Sequence, residues 1–180
     1  MPSKDEYYDE SCANPSDAHW LDWLQKQLRI RDINAATPDV PLAFKPDYQI
    51  WSKEYERYDV TPETILVGHS CGGGFLVRWL SENKDIRVGN VVLVAPWMNV
   101  NHEEDISFFD GFEIDSSIIN RVNKLTIFSS TNDGIEMKNT INKLRQIIPG
   151  IGYREFTNYG HFTYGSMKTH EFPELLNEVT

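Results

Sequence analysis

Short apolar runs alternate with amphipathic stretches along the chain, and each kind of run predicts its own element. Val91–Ala95 and Leu125–Ser129 are brief, mostly apolar and bounded by polar or turn residues, as expected of parallel strands buried on both faces. Ile65–Gly68, Tyr153–Phe156 and Ile33–Thr37 are further strand candidates. Between them the apolar positions follow helical spacing. Trp20, Leu21, Trp23, Leu24 and Leu28 make one stripe, with Ser16 and Asp17 ahead of it as N-cap candidates. Phe75, Leu76, Trp79 and Leu80 make a second. Met137, Ile141, Leu144 and Ile148 make a third, which Pro149-Gly150 stops. Helices are also expected across Tyr48–Tyr58 and near Pro173–Val179. This alternation predicts an α/β fold in three layers, a mostly parallel sheet with helices on both faces.

One junction between a strand and a helix carries chemistry. The run Ile65-Leu-Val-Gly-His-Ser-Cys-Gly-Gly-Gly-Phe75 contains Gly68-His69-Ser70-Cys71-Gly72, a G-x-S-x-G flanked as a nucleophile elbow requires. On this reading the turn strains the backbone of Ser70, and a side chain at 68 or 72 would collide with neighbouring backbone. The strain lifts the hydroxyl clear of the sheet at a helix N-terminus, and the Cys71 N–H is expected to donate to an oxyanion hole.

A serine hydroxyl needs a base. His161 lies in Tyr159-Gly160-His161-Phe162, just after the last strand candidate. Asp133 follows Leu125–Ser129 at its C-terminal edge. The order Ser70, Asp133, His161 is that of the α/β-hydrolase elbow, and catalytic groups in open parallel sheets gather at strand C-terminal ends. The expected roles are Ser70 as nucleophile, His161 as general base and then acid, and Asp133 orienting the imidazole.

Plainer readings stand beside these. Asp133-Gly134 is also a common turn dipeptide, and the rival acid Asp115 reads as a helix N-cap before Ile118 and Ile119. His69 reads as a packing and hydrogen-bonding residue beside the elbow, and His19 and His170 read as structural. Cys71 reads as a small buried filler. His102-Glu-Glu-Asp105 has no second spaced cluster, so it reads as a solvated acidic loop, and no metal is expected. Gly72-Gly73-Gly74 lacks the Gly-Lys-Ser/Thr of a phosphate loop. Trp97, Met98, Phe108, Phe109 and Phe112 read equally as the walls of a shallow pocket or as ordinary core and loop packing, and Phe162 beside the histidine is a further pocket candidate.

Composition narrows the partners. The 180 residues suit a single domain, assigned to 1–180, with 17 Lys+Arg against 27 Asp+Glu and a net charge of −10. That acidity argues against nucleic acid or an anionic membrane as partner. Apolar runs fall far short of the roughly 20 residues a membrane helix needs. The start MPSKDEYYDE has no apolar region of a signal peptide. Two cysteines, Cys12 and Cys71, make no disulfide framework, so the expected compartment is the cytoplasm. The oligomeric state is left open.

The chain resembles the small, capless α/β-hydrolases similar to retinoblastoma-binding protein 9 and YdeN. The matching features are His19-Trp20-Leu-Asp-Trp23-Leu24, Thr37-Pro38-Asp-Val-Pro41, Trp51, Gly68-His-Ser-Cys-Gly-Gly73, Val94-Ala-Pro-Trp97, Asn132-Asp133 and Gly160-His161-Phe162. The resemblance implies an α/β-hydrolase-type sandwich without a cap domain. It also implies a serine hydrolase of esterase type, acting on small acyl substrates without a cofactor. One departure stands out. The family opens with an apolar strand ending in His-Gly, whose following loop donates the second oxyanion N–H, and Met1-Pro2-Ser3 falls about where that His-Gly ends. The chain is therefore expected to be N-terminally short relative to the family. Three explanations are open: an internal Met taken as the start, a natural truncation, or the gap filled by another segment or chain; the first is preferred. Loss of one oxyanion donor costs about 10²–10³ in rate, so the alternative expectation is a catalytically weak or inactive binding protein on the same fold.

Overall fold

In the computed structural model, which describes residues 4–8, 19–101 and 107–180, four of the apolar runs become strands of one parallel sheet. These are β1 (Leu66–His69), β2 (Val88–Val94), β3 (Val122–Ser130) and β4 (Gly152–Phe156), in spatial order β1-β2-β3-β4. The register sets Leu66 against Val91, Val91 against Leu125, and Phe128 against Arg154. Among the described residues β1 pairs on one side only, with β2.

The helices are α1 (Lys4–Tyr7), α2 (Leu21–Ile30), α3 (Tyr48–Tyr55), α4 (Cys71–Glu82), α5 (Ile135–Ile147), α6 (Tyr164–Met167) and α7 (Pro173–Val179). Short 3₁₀ turns cover Ser107–Phe109 and Ser116–Asn120. No helix among the described residues is long and apolar enough to cross a membrane.

The two-residue period of β2 sorts its side chains into two cores. Val91 and Leu93 join Trp51, Phe75, Trp79, Ile127 and Leu144 beneath α3, α4 and α5. Val92 and Val94 join Trp20, Leu24, Phe128, Phe172 and Leu175 beneath α2 and α7. Both faces are covered, so the strands can be apolar throughout. The predicted stripe of α4 is wholly buried, and Ile141 and Leu144 of α5 bury as its spacing predicts. α3 stops at Tyr55, three residues before the predicted end at Tyr58. The N-cap candidates Ser16 and Asp17 lie outside the described residues.

The expected strand Ile33–Thr37 is irregular backbone instead. Two of its backbone polar groups are met by α2: Gln25 donates to the Ala35 carbonyl at 2.9 Å, and the Ile33 N–H returns to the Leu28 carbonyl at 3.0 Å. Those two groups are paired without a strand ladder.

Candidate active site

Ser70 joins β1 to α4 with φ 53° and ψ −123°. A positive φ at a residue bearing a Cβ is strained and persists only where its surroundings enforce it. Here four hydrogen bonds do so. The Ser70 N–H donates to the Val94 carbonyl at 3.0 Å. The Ser70 carbonyl accepts from the N–H groups of Gly73 (3.0 Å), Gly74 (3.2 Å) and Trp97 (2.9 Å). The bend is thus tied to β2, to the first turn of α4 and to the segment leaving β2, and Oγ stands at the positive end of a three-turn helix.

The glycines around the bend are unequal. A Cβ on Gly68 would lie 2.7 Å from the Gly72 carbonyl oxygen and 2.8 Å from the Gly73 Cα. A Cβ on Gly72 would meet no described atom within 4 Å, which corrects the expectation that position 72 is glycine for want of room. The crowding falls on the next two residues. At Gly73 a Cβ would sit 3.1 Å from the Gly68 oxygen and the Pro96 Cα, and at Gly74 it would sit 2.1 Å from the Trp97 oxygen. The helix turns past residue 72 before its backbone closes on the loop after β2.

His161 and Asp133 reach Ser70 from the carboxyl ends of β4 and β3. His161 Nε2 is 2.9 Å from Ser70 Oγ, and His161 Nδ1 is 3.1 and 3.3 Å from the two Asp133 oxygens. A carboxylate only accepts, so Nδ1 carries the hydrogen and Nε2 is left to accept from the hydroxyl. Asp133 Oδ1 also accepts from the Gly134 N–H at 2.7 Å. The aspartate side chain is 2% exposed and the imidazole 29%, so the acid is shielded while the ring edge stays reachable.

The loop bearing His161 is built from tight turns, with Asn158, Gly160 and Phe162 all at positive φ. The loop after β3 pins it. Thr131 Oγ1 accepts from the Asn158 N–H (3.2 Å), Ser130 Oγ from the Tyr159 N–H (3.0 Å) and Asn132 Oδ1 from the Gly160 N–H (2.8 Å). Hydrophobic spacing does not reveal this anchoring role; its signal is the polar run Ser130-Thr-Asn immediately before Asp133.

Cys71 opens α4, where its N–H is among those that a helix leaves unpaired. Its thiol is buried, and burial pushes its pKa up to about 12, so it stays protonated and inert. Trp97 is partly exposed and packs edge-on against Phe109 at 5.6 Å. Met98 and Phe162, expected at a pocket wall, belong to the cores instead, at 3% and 0% exposure. Thr140 Oγ1 accepts from the Met98 N–H and donates to its carbonyl, each at 3.0 Å, fixing that peptide inside the fold. Phe162 is turned inward among Phe156, Tyr159 and Phe172. Phe108 is buried as well, so only Trp97, Phe109 and Phe112 of the aromatic set keep surface.

Asp115 caps the 3₁₀ turn at Ser116, accepting from the Ser117 N–H at 2.9 Å, and pairs with Arg121. His170 stacks on Tyr164 at 4.4 Å. The run His102-Glu-Glu-Asp105 lies outside the described residues, and among those described no cluster of His, Cys, Asp or Glu could hold a metal ion.

The fold recurs in solved structures. The ydeN gene product of B. subtilis superimposes with a TM-score of 0.78 at 23% identity, covering 91% of this chain and 90% of that one. A YdeN-like hydrolase from Pectobacterium atrosepticum gives 0.57 at 19% identity, covering 91% and 87%. A pyrethroid hydrolase from Sphingobium faniae gives 0.57 at 12% identity, covering 89% and 90%. At these identities the likeness is one of fold, an α/β-hydrolase-type parallel sheet between helices, with no cap domain among the described residues. No curated protein matches the sequence. The family model described as serine hydrolase matches residues 11–174. The chain belongs to the serine hydrolase family.

Proposed function

We propose that this enzyme hydrolyses a small ester or other acyl compound through Ser70, His161 and Asp133 and an acyl-enzyme intermediate. One observation carries the reading: the unbroken hydrogen-bonded line from the strained Ser70 through His161 to the buried Asp133.

Each group has a defined task. His161 Nε2 takes the Ser70 proton as Oγ attacks the acyl carbon, and Asp133 stabilises the imidazolium that forms. The oxyanion of the tetrahedral intermediate lies against the Cys71 N–H at the head of α4, where the partial positive charge is concentrated. Collapse expels the leaving group, which receives the proton from His161. Water then attacks the acyl-enzyme with His161 as base, releasing the acid and restoring Ser70. The reaction consumes only water beside the substrate. Trp97 at the loop after β2 is the pocket wall this reading retains.

The test is covalent labelling of the folded chain by a fluorophosphonate, together with turnover of a panel of short and medium acyl esters. Labelling that disappears in Ser70→Ala is expected. A folded wild type that neither labels nor turns over any ester would reject the reading in favour of a binding protein on the same fold.

A further inference from the structure

His69 ends β1 immediately before Ser70, and its side chain reaches across to the far loop. Its Nε2 lies 2.8 Å from the main-chain carbonyl oxygen of His161. A carbonyl only accepts, so His69 Nε2 carries the hydrogen and Nδ1 is bare. The ring is held from other directions too, edge-on to His19 at 5.4 Å and Trp20 at 5.8 Å, and 5.0 Å from the His161 ring. Burial, with the neighbouring His161 and His19, keeps its pKa well below the ordinary histidine value of 6.5, so the ring is neutral.

Two hydrogen bonds therefore join residues 69 and 70 to residue 161. One runs from the His69 ring to the His161 backbone, and the other from the Ser70 hydroxyl to the His161 ring. Together they close a small loop of contacts. The contact between nucleophile and base is thus accompanied by a second one, from the neighbouring residue at the end of β1 to the main chain of the base. The next carbonyl is held in the same way, since Trp20 Nε1 donates to the Phe162 carbonyl at 2.9 Å.

We propose that His69 is a positioning residue, whose Nε2–H clamps the main chain of His161 and keeps the imidazole in reach of Ser70 Oγ. This rests on the serine hydrolase reading above and adds a part to it. The loop it holds has alternating positive φ values at 158, 160 and 162, a conformation that depends on external contacts to persist. The anchors from Ser130, Thr131 and Asn132 grip its N–H groups before residue 161. His69 grips the carbonyl of residue 161 itself.

The experiment compares His69→Phe, which keeps a planar ring and loses the donor, with His69→Gln, whose amide can donate to the same carbonyl. The readouts are the fluorophosphonate labelling rate, and kcat and KM on p-nitrophenyl acetate. A misplacement near 1 Å costs about 10²-fold. The expected result for His69→Phe is a fall of about 10- to 100-fold in labelling rate and kcat with KM little changed. His69→Gln should recover most of the loss. His69→Phe at the wild-type rate, or His69→Gln as slow as His69→Phe, would overturn the clamp while leaving the triad standing. Nitrogen-15 NMR of the wild-type histidines checks the same point without any variant. Proton on Nε2 of His69 at pH 7 is expected, and proton on Nδ1 would overturn it. A wild type that neither labels nor turns over removes the reaction that the clamp serves, and is recognised before any variant is made.

Discussion

The two glycines that define the G-x-S-x-G pattern should respond to substitution in opposite ways. In Gly68→Ala the new Cβ meets three backbone atoms of α4 at 2.7 to 2.8 Å, below the 3.0 Å that real Cβ contacts respect. None of them is the end of a flexible side chain. β1 and α4 must therefore separate by about 0.3 Å merely to reach that limit, and overpacking of this kind costs about 1–3 kcal/mol. The displaced atoms include the turn that presents Ser70 and the Cys71 N–H, so activity should fall along with stability. A shift of a few tenths of an ångström corresponds to roughly 3- to 10-fold, scaled from the 10²-fold loss typical of 1 Å. Gly74→Ala is worse still, because its Cβ would lie 2.1 Å from the Trp97 oxygen. In Gly72→Ala the Cβ enters open space among the described residues, and the residue lies within α4. Alanine there should be neutral or stabilising by about 0.5–1 kcal/mol, since glycine loses more entropy in a helix. Thermal unfolding and the fluorophosphonate labelling rate of the three variants decide the matter. Equal stability of Gly68→Ala and wild type, or a loss above about 1 kcal/mol in Gly72→Ala, would refute the reasoning.

Two further predictions test the charged groups. Asp133→Asn keeps the shape of the site but cannot hold the His161 tautomer, so the labelling rate should drop about 10³- to 10⁴-fold with the melting temperature nearly unchanged. A drop under tenfold would remove Asp133 from the proposed mechanism. In Asp115, burial raises the carboxyl pKa, but the Ser117 and Arg121 hydrogen bonds outweigh it and hold the group below its ordinary 3.8. A depressed folded-state value means stability that is present above the ordinary carboxylate range and lost as pH falls through the folded value. Asp115→Asn should therefore destabilise the fold at pH 7 by no more than about 1 kcal/mol, the upper end for a solvent-screened ion pair. The difference from wild type should shrink below about pH 4 as the wild-type carboxyl is protonated. Denaturant unfolding at pH 7 and pH 3 measures both, and a penalty independent of pH would show that the charge is not what matters.

Local pattern determined much of this protein. The brief apolar runs of β2 and β3 are strands because every residue faces a core, and the four-residue steps of α4 and α5 are helices because one face must be buried. Ser70, Asp133 and His161 were legible as candidates because each follows a strand of a parallel sheet, where side chains converge. The elbow was legible because glycine and serine at that spacing, between a strand and a helix, imply a forced turn. Other features depend on contacts between residues far apart in the chain. Whether Ile33–Thr37 becomes a strand depends on which partners meet its backbone groups, and Gln25 takes the carbonyl of Ala35. Whether Met98 and Phe162 face a pocket depends on Thr140 and on the aromatic neighbours of β4, which draw both into the cores. The different crowding at Gly68, Gly72 and Gly74 depends on how α4 seats against the loop after β2. The grip of His69 on the carbonyl of His161 joins residues 92 positions apart. Periodicity reports which side of an element is apolar, but a hydrogen bond between remote segments exists only once both cores have closed and brought donor and acceptor within about 3 Å.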